Sequence, residues 1–432
     1  MVKLNGSFRI GSRLLKLAIP AGFWLLTAAP SFVDPQLYDG FNKVAYAAPQ
    51  SRGPGSAGSF FDRQAYRPVI DTAVGDIYTA LSQHQLDQAL AIANRLIKEF
   101  PNFHLAYMLK GDILSLKAGR PIQKIGDMPN VPKGKEDELR DLREEAIARF
   151  RAVEDRPQRN LLPSELVEIG DEVKYVVLVD ASRSRLYLYE NTFPQPRLVT
   201  DFYITQGKMG AVKSVEGDKR TPIGVYTVTT LLPKAKLNDF YGPIALPINY
   251  PNAWDKRQGR TGTGIWLHGM PSSYVSRPPL DSDGCVVLAN NDLLALKKFI
   301  DIGNTPVVIT KKLDFIPTEV WKAQRKAALR MVQTWKEDLE SNLQAGLSHY
   351  ASNVLIDGKD LEDWQKDKHL SARSFGKIKL QDLTVMKYPS DKDMLFVSFK
   401  QQDQVYGAVK KEQYWMKMGT HWRIVQEDTA KL

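Results

Sequence analysis

At 432 residues the chain exceeds what one hydrophobic core organises, so about two to three domains are expected. Its 59 Lys and Arg exceed its 49 Asp and Glu to give +10, yet the cations run along the whole chain without a clustered patch. That pattern argues against nucleic acid as a partner and suits an anionic envelope polymer, surface lysines that only confer solubility being the alternative. A single cysteine excludes an intrachain disulfide and leaves one free thiol.

Lys3, Arg9, Arg13 and Lys16 precede the apolar run Leu17–Ala29, the charge-then-apolar order of an export signal. Pro20 and Gly22 interrupt the run, which is short for a membrane span. A signal over residues 1–47 is expected, because Val44-Ala45-Tyr46-Ala47 fits the small-residue cleavage rule better than Leu26-Thr27-Ala28-Ala29; an uncleaved anchor is the alternative. Either places the protein in the periplasm or cell envelope, where an unpaired thiol is unusual and points to reactivity.

Residues 48–64, rich in Gly, Ser and Pro, read as a flexible linker. Residues 65–165 read as helical. Leu86, Ala89, Leu90, Ala93, Leu96 and Ile97 recur at helical spacing, Phe100-Pro101 breaks the pattern, and Ala106, Leu109 and Leu114 resume it. The pair resembles a tetratricopeptide hairpin, an ordinary helical hairpin being the alternative. Glu136 to Phe150, acidic in its first turn, predicts another helix.

From Lys174 the period changes. Tyr175–Val179 and Arg185–Tyr189 flank the turn residues 180–184, and further strands are expected at Tyr226–Leu231, Gly264–His268, Cys285–Leu288 and Pro306–Thr310. One helix, Asp292–Ile300, is expected among them, capped by Asn290 or Asn291 and ended before Gly303. Residues 172–311 thus form a mostly β domain. In residues 318–432, one or two amphipathic helices from Thr318 to Tyr350 precede strands at Leu383–Met386, Met394–Phe399, Val405–Val409, Tyr414–Met418 and Trp422–Val425. That order makes an α+β domain similar to the nuclear-transport-factor-2-like (NTF2-like) cone. Trp364, Tyr388, Tyr414 and Trp415 are expected in its core.

The chemistry concentrates in the middle. Cys285 is the only cysteine, and His268 is the only histidine between residues 172 and 311. A thiol with a neighbouring imidazole suffices for acyl transfer. His268-Gly269 followed by Ser282-Asp283-Gly284-Cys285 resembles the HG and S-x-G-C motifs of the YkuD-type L,D-transpeptidases, and Thr221-Pro222-Ile223-Gly224 resembles their TP-x-G segment.

The resemblance implies that Cys285 attacks the carbonyl of the L-to-D peptide bond in a peptidoglycan tetrapeptide stem, releasing D-alanine and leaving a thioester. It implies that His268 is the base or ion-pair partner, its second ring nitrogen held by the Gly269 carbonyl. Gly284 would leave room for substrate, the N–H groups of Gly284 and Cys285 would hold the oxyanion, and Ser282 would order the loop. No metal or organic cofactor is implied.

Asp283 stands where many family members have His, and Val287 where many have Arg. The Asp283 carboxylate would raise the thiol pKa unless it pairs with His268 or a cation such as Arg277. Tyr241, Arg277 and Gly264 are candidates to line the substrate cleft, with residues 249–255 and 259–264 approaching it. The leading expectation is an L,D-transpeptidase. Water as acceptor would make it an L,D-carboxypeptidase, and a non-catalytic envelope scaffold is the reading from another class. The flanking domains are expected to contact substrate or envelope partners.

Overall fold

The computed structural model describes residues 68–128, 131–158, 160–368 and 375–432. The expected export signal and linker lie outside the described residues. The chain is a multidomain α+β protein with a helical N-terminal region, a strand-rich centre and a mixed C-terminal domain.

Helices α1 (Val69–Ser82), α2 (Leu86–Glu99) and α3 (His104–Lys117) follow one another, and α4 (Glu136–Glu154) packs against α1 and α3. Val74, Ile77, Ala89, Ala93, Leu96, Leu109 and Phe150 bury their apolar faces together, each large side chain contributing roughly 2 kcal/mol. Pro101 disfavours helical geometry at Phe100, whose φ of −127° and ψ of 78° end α2. The helix α1 lies ahead of the expected hairpin, within the region expected to be helical.

Tyr175–Asp180 is the middle strand of five, in the order Arg197–Tyr203, Arg185–Glu190, Tyr175–Asp180, Pro306–Thr310, Gly224–Thr227. Val177, Val179, Val307 and Ile309 face the central core, whereas Val176, Leu178 and Val308 face Met386, Tyr388, Phe396 and Tyr414 of the C-terminal domain. Burial on both faces explains why Tyr175–Val179 is unbroken in hydrophobicity instead of alternating. A second sheet of Val286–Val287, Trp266–His268, Ile244–Pro247 and Leu232–Pro233 packs on the central core through Val286, Leu267 and Leu246.

The C-terminal sheet has six strands, ordered Tyr350–Ile356, His421–Lys431, Gly407–Met418, Met394–Asp403, Lys379–Lys387, Leu166–Glu168. The helix Thr318–Ser341 covers it with Val332, Trp335 and Leu339. Trp364, Tyr388, Tyr414 and Trp415 are buried.

Three expectations are corrected. Residues 161–165 are not helical: Leu161–Pro163 pairs with Phe315–Pro317, and Leu166–Glu168 adds the last strand of the C-terminal sheet. The sheet borrows this edge from before the strand-rich centre, and the segment is too short to show a period in sequence. Val405–Val409 and Tyr414–Met418 are not separate strands, because Gly407–Met418 pairs continuously with Met394–Asp403. Finally, the helix begins at Asn290 itself, with Ala289 at its cap, because the Asn290 side chain bonds elsewhere.

Candidate active site

The site forms where Trp266–His268 lies parallel to Val286–Val287, with Leu267 opposite Val286 and His268 opposite Val287. Leu267 and Val286 enter the core. Strand alternation then puts His268 and Val287 on the other face, and Cys285, two residues before Val287, on the same face as His268. The register therefore brings imidazole and thiol to one surface.

His268 is buried, and its Nδ1 lies 2.6 Å from the Gly269 carbonyl oxygen. A carbonyl only accepts, so Nδ1 carries the proton and Nε2 of the neutral ring keeps its lone pair. Burial pulls the imidazole pKa from 6.5 to about 4; the Gly269 carbonyl opposes this and the Arg277 cation adds to it. The Tyr241 ring stands 5.1 Å from the imidazole in a T-shaped contact, and Phe240 stands 6.1 Å away. Tyr241 thus walls the histidine.

The loop before Cys285 is closed by Ser282, whose hydroxyl donates to the Cys285 carbonyl at 2.6 Å and accepts the Gly284 N–H at 3.1 Å. The Gly284 N–H is therefore committed to the loop, contrary to the expected pair of oxyanion donors. The Cys285 N–H has no partner among the described residues. Gly284 is required by its φ of +128° and because a Cβ there would lie 2.8 Å from the Arg220 carbonyl oxygen. Its missing side chain makes room for the Arg220 backbone and the Ile265 side chain, a packing role in place of the expected room for substrate.

The Cys285 thiol donates to the Gly264 carbonyl at 3.4 Å, and no hydrogen bond joins it to His268. Its pKa is pushed up to about 11, first by burial and then by Asp283, while the Trp266 backbone N–H, Lys213 and Arg277 pull it down. Both groups of the resting pair are thus neutral.

Asp283 reaches neither His268 nor Arg277. Its carboxylate, 71% exposed, lies 3.6 Å from Lys208. Arg277 is buried and held to Asp281, with Nε 2.8 Å from Oδ2 and its guanidinium 5.6 Å from the Phe240 ring centroid. Residues 252–255 do not line the cleft: Asn252 and Asp255 form a capping box, and Trp254 stacks on Tyr414 at 5.9 Å. Sequence reasoning missed the local role of Asn290, whose side chain accepts from Met270 N at 2.9 Å and donates to Met270 O at 3.0 Å. A Cβ at Gly269 would lie 2.2 Å from Asn290 Oδ1, which accounts for that glycine. It also missed Lys213, buried and paired with Asp218 at 2.9 Å. Among the described residues no group of three or more His, Cys, Asp or Glu is placed to hold a metal ion, and no helix is long and apolar enough to cross a membrane.

Residues 174–309 match the family model of the L,D-transpeptidase catalytic domain, YkuD. Strand register, the His268-Gly269 pair and the Ser282–Cys285 loop all fall inside that span, so the centre of this chain is an L,D-transpeptidase catalytic domain, of a family that acts on peptidoglycan peptide stems. Residues 327–428 match the Cds6 C-terminal NTF2-like domain, which makes the chain a two-family assembly behind a helical region. Among solved structures, Bd1075 from Bdellovibrio bacteriovorus aligns at 26% identity and a TM-score of 0.54, covering 63% of this chain and 99% of that one. The helical cell shape determining protein Pgp2 from Campylobacter jejuni aligns at 23% identity and a TM-score of 0.48, covering 61% of this chain and 95% of that one. No curated protein matches the chain.

Proposed function

We propose that the chain is a cysteine acyltransferase of peptidoglycan tetrapeptide stems, an L,D-transpeptidase. Cys285 loses its proton to His268 Nε2 as its sulfur attacks the stem carbonyl. The tetrahedral oxyanion faces the Cys285 N–H, and His268 returns the proton to the leaving D-alanine amine as the thioester forms. The amine of a second stem then takes the acyl group. The observation that carries this reading is the register of His268 opposite Val287 with Nδ1 fixed by Gly269, which leaves Nε2 as the available base on the face of the thiol. Proton transfer during attack, in place of a standing ion pair, agrees with a thiol near 11 and an imidazole near 4.

Water as acceptor, giving an L,D-carboxypeptidase, has one observation in its favour. Lys208 sits 3.6 Å from Asp283, so the carboxylate nearest the thiol in sequence offers a cationic amine no uncompensated charge. Muropeptide products separate the two: cross-linked dimers from tetrapeptide stems support the transpeptidase, tripeptides alone support the carboxypeptidase, and unaltered stems refute both. The charge-then-apolar sequence of residues 3–29 and the location of the substrate support action in the periplasm or cell envelope. The helical and C-terminal domains are the surfaces available to envelope partners.

A further inference from the structure

Residues 271–279, between the His268 strand and the Cys285 loop, form no helix or strand, yet they are tied to the helical region at three points. Val275 packs into the helical core, Asn102 Nδ2 donates to the Ser273 carbonyl at 3.4 Å, and Ser276 Oγ donates to Glu145 while accepting from Arg149 Nη2 at 2.8 Å. Glu145 and Arg149 are buried one turn apart on α4, with Arg149 Nε 2.8 Å from Glu145.

Arg149 is held in turn. Its guanidinium lies 3.9 Å over the Tyr203 ring and pairs with Asp71 of α1. Asp71 also accepts from Arg185 at 2.8 Å and from the Tyr203 N–H at 3.0 Å, and Arg185 pairs with Asp201. Tyr203 closes the circuit by donating from its hydroxyl to the Arg277 carbonyl at 2.9 Å. An interface needed only for adhesion could be apolar, since a buried ionic network gains little over packed hydrocarbon. This network ends instead on Ser276 and on the backbone of Arg277.

We propose that Ser276, Glu145 and Arg149 are positioning residues, through which the helical region holds Arg277 at a fixed place over Phe240, the ring that neighbours His268. The proposal rests on the acyltransferase reading only for its catalytic consequence. Arg277 stands over Phe240, which lies 6.1 Å from His268, so a shift of the loop moves a cation relative to the reacting pair. That cation, itself paired with Asp281, adds a small lowering to the pKa of both His268 and Cys285 beside the larger effect of burial; Asp283 and Lys213 are the other charges acting on the thiol. The helical region thereby fixes one charge in the surroundings of the chemistry from outside the catalytic domain.

The single cysteine supplies a readout independent of the biological reaction: the pH dependence of Cys285 alkylation by iodoacetamide in the full chain. Ser276→Ala and Glu145→Gln should each move the alkylation midpoint upward as Arg277 drifts away. The rate at neutral pH should fall roughly twofold to threefold, equivalent to about a third to half a pH unit. Arg277→Gln should move it the same way, and adding Ser276→Ala to Arg277→Gln should move it no further, because both act through one cation. Leu96→Ala, in the helical core on α2, which carries no residue of the clamp, should lower the melting temperature and leave the midpoint in place. Unmoved midpoints in Ser276→Ala and Glu145→Gln, full additivity with Arg277→Gln, or an equal shift in Leu96→Ala would each overturn the proposal. Failure of the wild type to process tetrapeptide stems would refute the acyltransferase reading and leave this measurement intact.

Discussion

A resting imidazolium–thiolate pair and a resting neutral pair predict opposite titrations, and the burial of His268 decides between them. Its pKa falls from 6.5 to about 4, which at about 1.4 kcal/mol per pH unit corresponds to about 3 kcal/mol favouring the neutral ring. The unfolded chain binds this proton near 6.5 and the folded chain only near 4. Stability linked to His268 is therefore fully present above pH 6.5 and is lost as pH falls from 6.5 towards 4. The test is proton NMR titration of the six histidines, with His268 assigned by its absence in His268→Gln, alongside denaturant melts at pH 7 and pH 4. Wild type should lose about 3 kcal/mol more than His268→Gln between those two pH values, and the His268 resonance should not move until the pH approaches 4. A His268 titration at or above 6.5, with no difference between the two proteins in acid sensitivity, would refute the neutral pair.

Lys208→Met should unmask Asp283, slow alkylation of Cys285 at neutral pH and raise the ratio of cross-linked to hydrolysed muropeptides; an unchanged ratio would remove the charge argument for water as acceptor. Asn290→Ala removes two hydrogen bonds to the Met270 backbone and should cost about 2 kcal/mol in denaturant melts, with slower acylation because the Gly269 carbonyl loses its support. Lys411→Met leaves Glu427 buried without its ion-pair partner and should destabilise the C-terminal domain by about 3–5 kcal/mol; adding Glu427→Gln, which removes the charge and keeps an acceptor for Tyr350 and Gln413, should recover most of that loss. Equal melts for the single and double variants would contradict this.

Motifs made the centre of the candidate site legible in the sequence. His268 and Cys285 stood alone in their segment, and Gly269 and Gly284 beside them completed the two motifs. What sequence could not supply was direction. Asp283 stands two residues from Cys285, but which way its carboxylate turns depends on the loop that Ser282 ties, and it turns to Lys208. Gly284 looked like an opening for substrate because the Arg220 carbonyl that fills that space comes from a segment some sixty residues away. Asn290 looked like a helix cap because that is the residue's usual role; its bond to Met270 is a tertiary choice. Among the folds, long periodic helices and two-sided hydrophobic strands were readable, whereas Leu166–Glu168 belongs to a sheet whose other strands lie after residue 349. Its three residues carry no period of their own.

If Cys285 carries the acyl group, a carbapenem, whose strained amide mimics the scissile carbonyl, should acylate it, and the most direct measurement is the intact mass of the full chain after brief exposure, with the adduct located by peptide mapping. One adduct per chain is expected, on Cys285, absent from Cys285→Ser and formed roughly 10²–10⁴-fold more slowly in His268→Gln. No adduct on the wild type, an equal adduct on Cys285→Ser, or acylation of His268→Gln at the wild-type rate would contradict it.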